Sequence, residues 1–143
     1  MKEWLVVACD GGARGNPGPA AIGAVVFDPS DPAPPLAAVS ERIGVTTNNV
    51  AEYRAVIAGL EAAREFPSRG VRVRSDSMLV IRQLEGVWRV KQPHLRPLHA
   101  SASALLGEWE RVELEHVPRA LNADADALVN AALDAPAVSD AGS

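Results

Sequence analysis

The chain has one cysteine, Cys9, in 143 residues. An internal disulfide and a thiolate metal cage are therefore excluded, which fits a reducing compartment. Cys9 itself reads as a small buried residue. No apolar run reaches the ~18 residues of a membrane span, and the start Met1-Lys2-Glu3-Trp4 lacks the long apolar region of a signal peptide. The expectation is a cytoplasmic protein without membrane contact. A basic excess is missing too, since 14 Lys and Arg stand against 18 Asp and Glu, a formal net charge of −4. That balance counts against a large nonspecific nucleic-acid surface, but not against a small site whose positive charge is supplied by metal ions. There is no internal repeat. The remainder, 48% apolar and 22% charged residues, is the make-up of one ordinary soluble domain.

The most informative stretch runs from Val6-Val7-Ala8-Cys9-Asp10 into Gly11-Gly12-Ala13-Arg14-Gly15-Asn16-Pro17-Gly18-Pro19. An apolar run ends on a carboxylate and enters a segment whose Gly and Pro content reads as loop. Asp10 is then held at a strand end beside backbone without side-chain bulk, where a metal ion or a phosphate can approach. A hairpin with Asp10 as a turn residue is the plainer alternative.

The rest of the chain gives an alternating α/β pattern. Residues 4–9 suit a central strand buried on both faces, and 20–27 a second strand antiparallel to it. Residues 36–45, beyond a proline-rich loop, suit an edge strand. Thr46-Thr47-Asn48-Asn49 offers N-cap chemistry for a helix over 50–65, with Tyr53, Ile57 and Leu60 on its packed face and Glu52 on the flank. Gly59 marks a close approach to the sheet. A fourth strand over 71–77 contains Asp76. Strand, helix, strand implies a parallel pair, and if this strand lies beside the first, Asp10 and Asp76 leave adjacent strands at the edge where open α/β sheets bind ligands. Residues 77–84 suit a short helix capped by Ser77 or Asp76, and 86–93 are irregular and locally basic. A helix over 94–110, a fifth strand over 111–117 and a last helix from an Asn122 cap to residue 134 follow. His94 and His99 have no partner at metal-ligand spacing and read as surface or capping residues. Residues 135–143 read as a linker or disordered tail.

Asp10, Glu52 and Asp76, with acids at the start of the last helix, make an all-carboxylate set. Such donors suit Mg²⁺ or Mn²⁺ and disfavour zinc. Like charges gathered in this way repel without cations, and two divalent ions roughly 3.5–4 Å apart activate water and stabilise the leaving oxygen in phosphodiester cleavage.

Four segments together resemble the motifs of type 1 ribonuclease H, in that family's order. They are Asp10-Gly11-Gly12 with Gly15-Asn16-Pro17-Gly18-Pro19, Thr47-Asn48-Asn49-Val50-Ala51-Glu52-Tyr53, Ser75-Asp76-Ser77, and Asn122 with Ala125-Asp126-Ala127-Leu128. The resemblance covers residues from about 4 to 134. It implies a ribonuclease H-like α/β fold whose five-stranded mixed sheet has three antiparallel and two parallel strands, and a catalytic domain over residues 1–134. The implied activity is endonucleolytic hydrolysis of the RNA strand of RNA/DNA hybrids, leaving 5′-phosphates, with two Mg²⁺ ions and Mn²⁺ as a substitute. Asp10, Glu52, Asp76 and Asp126 are the implied metal ligands. Asp124 and Asp126 point about 200° apart on a helix, and periodicity does not choose between them. The family pattern selects Asp126 and leaves Asp124 to complement the helix dipole.

The same resemblance makes His116 and Arg119 auxiliary groups. His116 stands six residues before Asn122, the spacing of a proton-handling histidine, while in the branch carrying His-Val-Pro-Arg the arginine takes that place and is favoured here. Gly11, Gly12, Arg14, Gly15, Asn16, Thr47, Asn48, Asn49 and Ser77 are the expected substrate contacts. Small polar groups among them would read the 2′-hydroxyl, and Thr47 and Asn16 would hold a phosphate. The lysine-rich extra helix of some bacterial members is missing; Trp88-Arg89-Val90-Lys91 stands in its region. Some relatives of this short form are fused to a C-terminal phosphatase domain. A monomer without a protein partner is expected. Rival readings are a noncatalytic nucleic-acid-binding domain of the same fold and another nuclease of that fold. A dinucleotide-binding enzyme fails on its glycine spacing, which Gly11 to Gly18 do not meet.

Overall fold

A computed structural model describes residues 1–136. Five strands, β1 (Lys2–Ala13), β2 (Gly18–Phe27), β3 (Ala37–Thr46), β4 (Ser68–Ser75) and β5 (Arg111–His116), form one sheet in the order β3-β2-β1-β4-β5. β1/β2 and β2/β3 pair antiparallel, β1/β4 and β4/β5 parallel. The helices are α1 (Asn48–Ala63), α2 (Met78–Leu84), α3 (Arg96–Leu106) and α4 (Ala123–Asp134), with single 3-10 turns at Pro93–Leu95 and Arg119–Asn122. The five-stranded mixed sheet, its central first strand and its third strand at the edge are as the sequence pattern implies. None of the helices among the described residues is long and apolar enough to cross a membrane.

Strand alternation gives β1 two buried faces. Leu5, Val7 and Cys9 join the main core with Tyr53, Val56 and Leu60 of α1, while on the other face α4 packs Val129 and Ala132 on Ala21 of β2. Gly59 does mark a close approach, since a Cβ there would lie 2.5 Å from Val7 Cγ1. Two further glycines set how near each helix comes to the sheet. A Cβ at Gly11 would lie 2.2 Å from the Ala51 carbonyl oxygen of α1, and one at Gly23 would lie 2.4 Å from the Ala125 carbonyl oxygen of α4. Gly23 is the β2 partner of Asp10. Both helices that carry acids are thus brought to the same short section of β1.

Several boundaries differ from expectation. The Gly-rich segment after Asp10 is strand as far as Ala13, because β2 continues to pair with it through Ala13↔Ala20. Asp10 therefore lies inside a hairpin strand rather than at a strand end or in its turn. β4 stops at Ser75, where the Ser77 amide donates to Ser75 Oγ at 3.0 Å and turns the chain, and Ser77 then caps α2. α3 ends at Leu106 rather than 110, and Trp109 beyond it donates its indole N–H to Ser68 Oγ at 3.1 Å. The C-terminal end of α4 is fixed by Arg42 of β3, whose guanidinium donates to the carbonyls of Ala132, Leu133 and Ala135. The tail expected over 135–143 lies outside the described residues from 137 onward.

Candidate active site

The site begins with a backbone problem. β4 pairs with β1 only as far as Cys9↔Ser75, so on that side the N–H groups of Gly11 and Ala13 face no strand. Gly11 is buried and Ala13 half-buried, and a backbone donor shielded from water needs a partner. Glu52 Oε1 accepts from Gly11 N at 2.7 Å and Asn48 Oδ1 accepts from Ala13 N at 2.8 Å. The two acceptors are four residues apart on α1 and so stack on one face of it. Asn16 Oδ1, from the hairpin tip, accepts from Asn48 N at 3.0 Å, and Thr47 Oγ1 caps the helix by accepting from Val50 N. Glu52 is thereby aimed at β1 rather than at solvent.

Two more acids reach the same place. Asp76 is the first residue beyond β4, beside β1. The start of α4 is tied to β1 by Asn122, whose Nδ2 donates to the Cys9 carbonyl at 2.7 Å. Asn122 sits at the helix-cap position without making a side-chain cap bond, so its expected capping role is replaced by this tether across the chain. Its buried Oδ1 has no partner among the described residues.

Carboxylate oxygens of Asp10, Glu52 and Asp76 lie within 4.8 Å of one another. Asp126 joins them on a cleft of about 410 Å³, whose walls also include Arg14, Asn48, Arg119 and Asn130. Burial, followed by the charges of Asp76 and Asp126, pushes the Asp10 carboxyl up to about 8, against a pull downward from Arg119. Burial and the charges of Asp10 and Asp76 push Glu52 up as well, although the Gly11 N–H favours its charged form. The cluster is costly to ionise when alone. A set of hard oxygen donors, crowded and desolvated, fits a divalent cation that would replace the missing countercharge. Cys9, buried and free directly before Asp10, has its thiol held protonated by burial and by these acids.

Comparison with known proteins follows the same outline. A family model described as "Reverse transcriptase-like" matches residues 8–132. The bifunctional protein Rv2228c of Mycobacterium tuberculosis is 48% identical over 135 residues, 94% of this chain and 37% of that one. Its N-terminal RNase H domain, solved as a fusion with maltose binding protein, superposes with a TM-score of 0.87 at 47% identity, covering 92% of this chain and 99% of that one. RNase H1 from Halobacterium salinarum gives a TM-score of 0.86 at 45% identity over 92% and 98% of the two chains. The chain belongs to the type 1 ribonuclease H family. LC11-RNase H1, solved in complex with an RNA/DNA hybrid, has a TM-score of 0.84 at 44% identity, covering 91% of this chain and 96% of that one. The chain spans 37% of the length of the mycobacterial relative and 62% of that of the curated Halobacterium ribonuclease HI.

Within this ribonuclease H fold the expected site residues divide into three groups. Asp10, Gly11, Gly12, Arg14, Asn48, Glu52, Asp76, Arg119 and Asp126 all line the cleft. Asp124 lies on a separate concavity with Phe27, Arg74 and Leu121. His116 ends β5 and contacts the Asp76 carbonyl through Nε2 at 3.2 Å, away from the cleft lining. Gly15 and Asn16 lie in the turn between β1 and β2, Thr47 and Asn49 at the start of α1, and Ser77 caps α2; none of these five is in the cleft lining. The Gly11 amide, expected to face substrate, is spent on Glu52. His99 packs edge-on to Tyr53 and bonds the Gln83 carbonyl, a structural role in keeping with expectation. Asn130 was not legible as a site residue: its Nδ2 lies 3.4 Å from Asp126 Oδ2. Its position one helical turn after Asp126 is the signal that finds it.

Proposed function

We propose that this chain is a divalent-metal-dependent endonuclease that hydrolyses the RNA strand of RNA/DNA hybrids, leaving 5′-phosphates, with residues 1–134 as its catalytic domain. The observation that carries the reading is the convergence of Asp10, Glu52, Asp76 and Asp126 on one cleft. The hybrid-bound relative, LC11-RNase H1, supports the substrate class. The four carboxylates would hold two Mg²⁺ ions, with Mn²⁺ as a substitute. Bound there, the ions supply an activated water and charge stabilisation at the leaving oxygen.

The chain's own groups do the rest. Glu52 is oriented by the Gly11 N–H and Asp126 by α4, whose approach depends on Gly23. Arg119, 3.5 Å from Asp126, adds a fixed positive charge that cannot act as a base at neutral pH and instead neutralises charge on the phosphate or leaving group. Asn48 in the cleft wall, with Asn16 of the β1–β2 turn and Asn49 beside it in sequence, offers small polar groups that suit a 2′-hydroxyl in the shallow minor groove. With few clustered cations, few phosphates are neutralised on binding, so affinity should fall gently with salt. The protein acts as a monomer in the cytoplasm in this reading.

The test is a gel assay with the label on either strand. With Mg²⁺, the labelled RNA of a hybrid is cut, while the DNA strand and duplex DNA stay intact. Equal cutting of duplex DNA would replace this reading by that of another nuclease of the same fold, and hybrid binding without cutting would favour the noncatalytic alternative.

A further inference from the structure

Two arginines line the cleft, and each meets a carboxylate of α4. Arg119 Nη2 lies 3.5 Å from Asp126 Oδ1, and Arg14 Nη2, just past the end of β1, lies 2.7 Å from Asp134 Oδ1. Asp126, Asn130 and Asp134 recur at intervals of four and form one stripe along α4. At 1.5 Å per residue that stripe is about 12 Å long, the rise of about three to four nucleotides of a strand. Arg14 is therefore held at the opposite end of the stripe from Asp126.

Asp134 is badly placed for α4 itself. It stands in the last turn, where the helix dipole disfavours an acid, and the carbonyls there are satisfied by Arg42 instead. What it does contact is Arg14, in a pair whose side chains are 51% and 66% exposed. Such a pair is weak and screened. A phosphate diester offers a guanidinium the same two-oxygen face as a carboxylate, and this bidentate match is the one arginine is best shaped for.

We infer that Arg14 binds a backbone phosphate of the hybrid, a few nucleotides from the bond that is cut, and that Asp134 is its intramolecular stand-in. In the free protein Asp134 holds the guanidinium; on binding, the phosphate displaces it. Asp134 thus lowers affinity while keeping Arg14 placed. The inference rests on the hybrid-binding reading above.

The test is hybrid affinity, measured with Mg²⁺ by fluorescence anisotropy of a labelled RNA/DNA hybrid. The full chain carries Asp10→Asn, the substitution expected to stop turnover. Arg14→Ala should weaken binding about threefold to tenfold and lower the slope of log affinity against log salt by about one. Asp134→Asn should tighten binding about twofold to fivefold, and should change nothing once Arg14 is alanine. Asp124→Asn, the same charge change on the same helix but outside the cleft, should leave affinity unaltered. If the pair were only a strut, both variants would weaken binding alike, and that result overturns the inference. Tightening by Asp134→Asn that persists without Arg14 overturns it as well, as a general charge effect. Normal hybrid binding indifferent to Arg14 removes the inference alone, whereas no hybrid binding removes the functional reading and the inference with it.

Discussion

Replacing Asp10 by asparagine should abolish activity and yet make the metal-free protein more stable. The Asp10 carboxyl is pushed from 3.8 to about 8 by burial and by Asp76 and Asp126. Between those values the folded chain keeps a proton that the unfolded chain releases, so stability falls as pH rises through that window. At about 1.4 kcal/mol per unit, the loss at pH 7.5 has a ceiling of about 5 kcal/mol, which water in the open cleft screens to about 2–3 kcal/mol. Glu52, also raised, acts in the same direction. The isosteric amide of Asn removes the charge and can still donate to Asp126. Scanning calorimetry in EDTA at pH 8 should therefore show Asp10→Asn melting about 5–10 °C above the wild type. The gap should shrink at pH 5, where Asp10 is mostly protonated. Adding Mg²⁺ should raise the wild-type Tm more than that of the variant, because the ion binds only the folded cluster. A variant that melts at or below the wild type at pH 8, or a gap that does not change with pH, would refute the electrostatic reasoning.

Other substitutions test separate parts of the site. Asp124→Asn should cleave hybrid at close to the wild-type rate while Asp126→Asn loses nearly all activity; steady-state assays giving the reverse order would reassign the fourth acid. Gly11→Ala forces a Cβ onto the Ala51 carbonyl, so α1 must retreat, which urea denaturation should register as about 1–3 kcal/mol of lost stability. Cleavage should fall further than that loss explains, because Glu52 retreats with the helix. Arg119→Ala should lower kcat about tenfold or more, with His116→Ala changing it less. If His116→Ala is the more damaging and the pH–rate profile loses a limb near neutrality, the histidine is the auxiliary group.

The parts of the site legible in the sequence were those set by local pattern. Residues 4–9 read as a buried strand and the strand after α1 as part of a parallel pair; that it lies directly beside β1, which brings Asp76 just beyond β4 next to Asp10, is supplied by the fold. Glu52 was visible as an acid near a helix start, but not its bond to Gly11, which arises because β4 ends early and leaves the β1 amides to a helix 41 residues away. The Gly-rich segment looked like loop because glycine and proline punctuate chains locally; its pairing with β2 is a tertiary effect that overrides propensity. Asn122 has the composition of a cap, and only the fold brings the Cys9 carbonyl, 113 residues earlier, within its reach. Periodicity could not choose between Asp124 and Asp126, because apolar residues of α4 flank both acids and only Ala125, Val129 and Ala132 of them are buried in the fold. The choice came from the family resemblance, and the cleft holds Asp126 and not Asp124.

The central claim is that the carboxylate cluster is a metal-dependent centre for cutting RNA in a hybrid. The most direct measurement is single-turnover cleavage of a labelled hybrid by wild type, Asp10→Asn and Asp76→Asn, titrated with Mg²⁺, with each variant's fold verified by circular dichroism. The account predicts cutting by the wild type that rises with Mg²⁺ and stops with EDTA, and no detectable cutting by either folded variant. Wild-type rates in folded Asp10→Asn, or cleavage indifferent to EDTA, would contradict it.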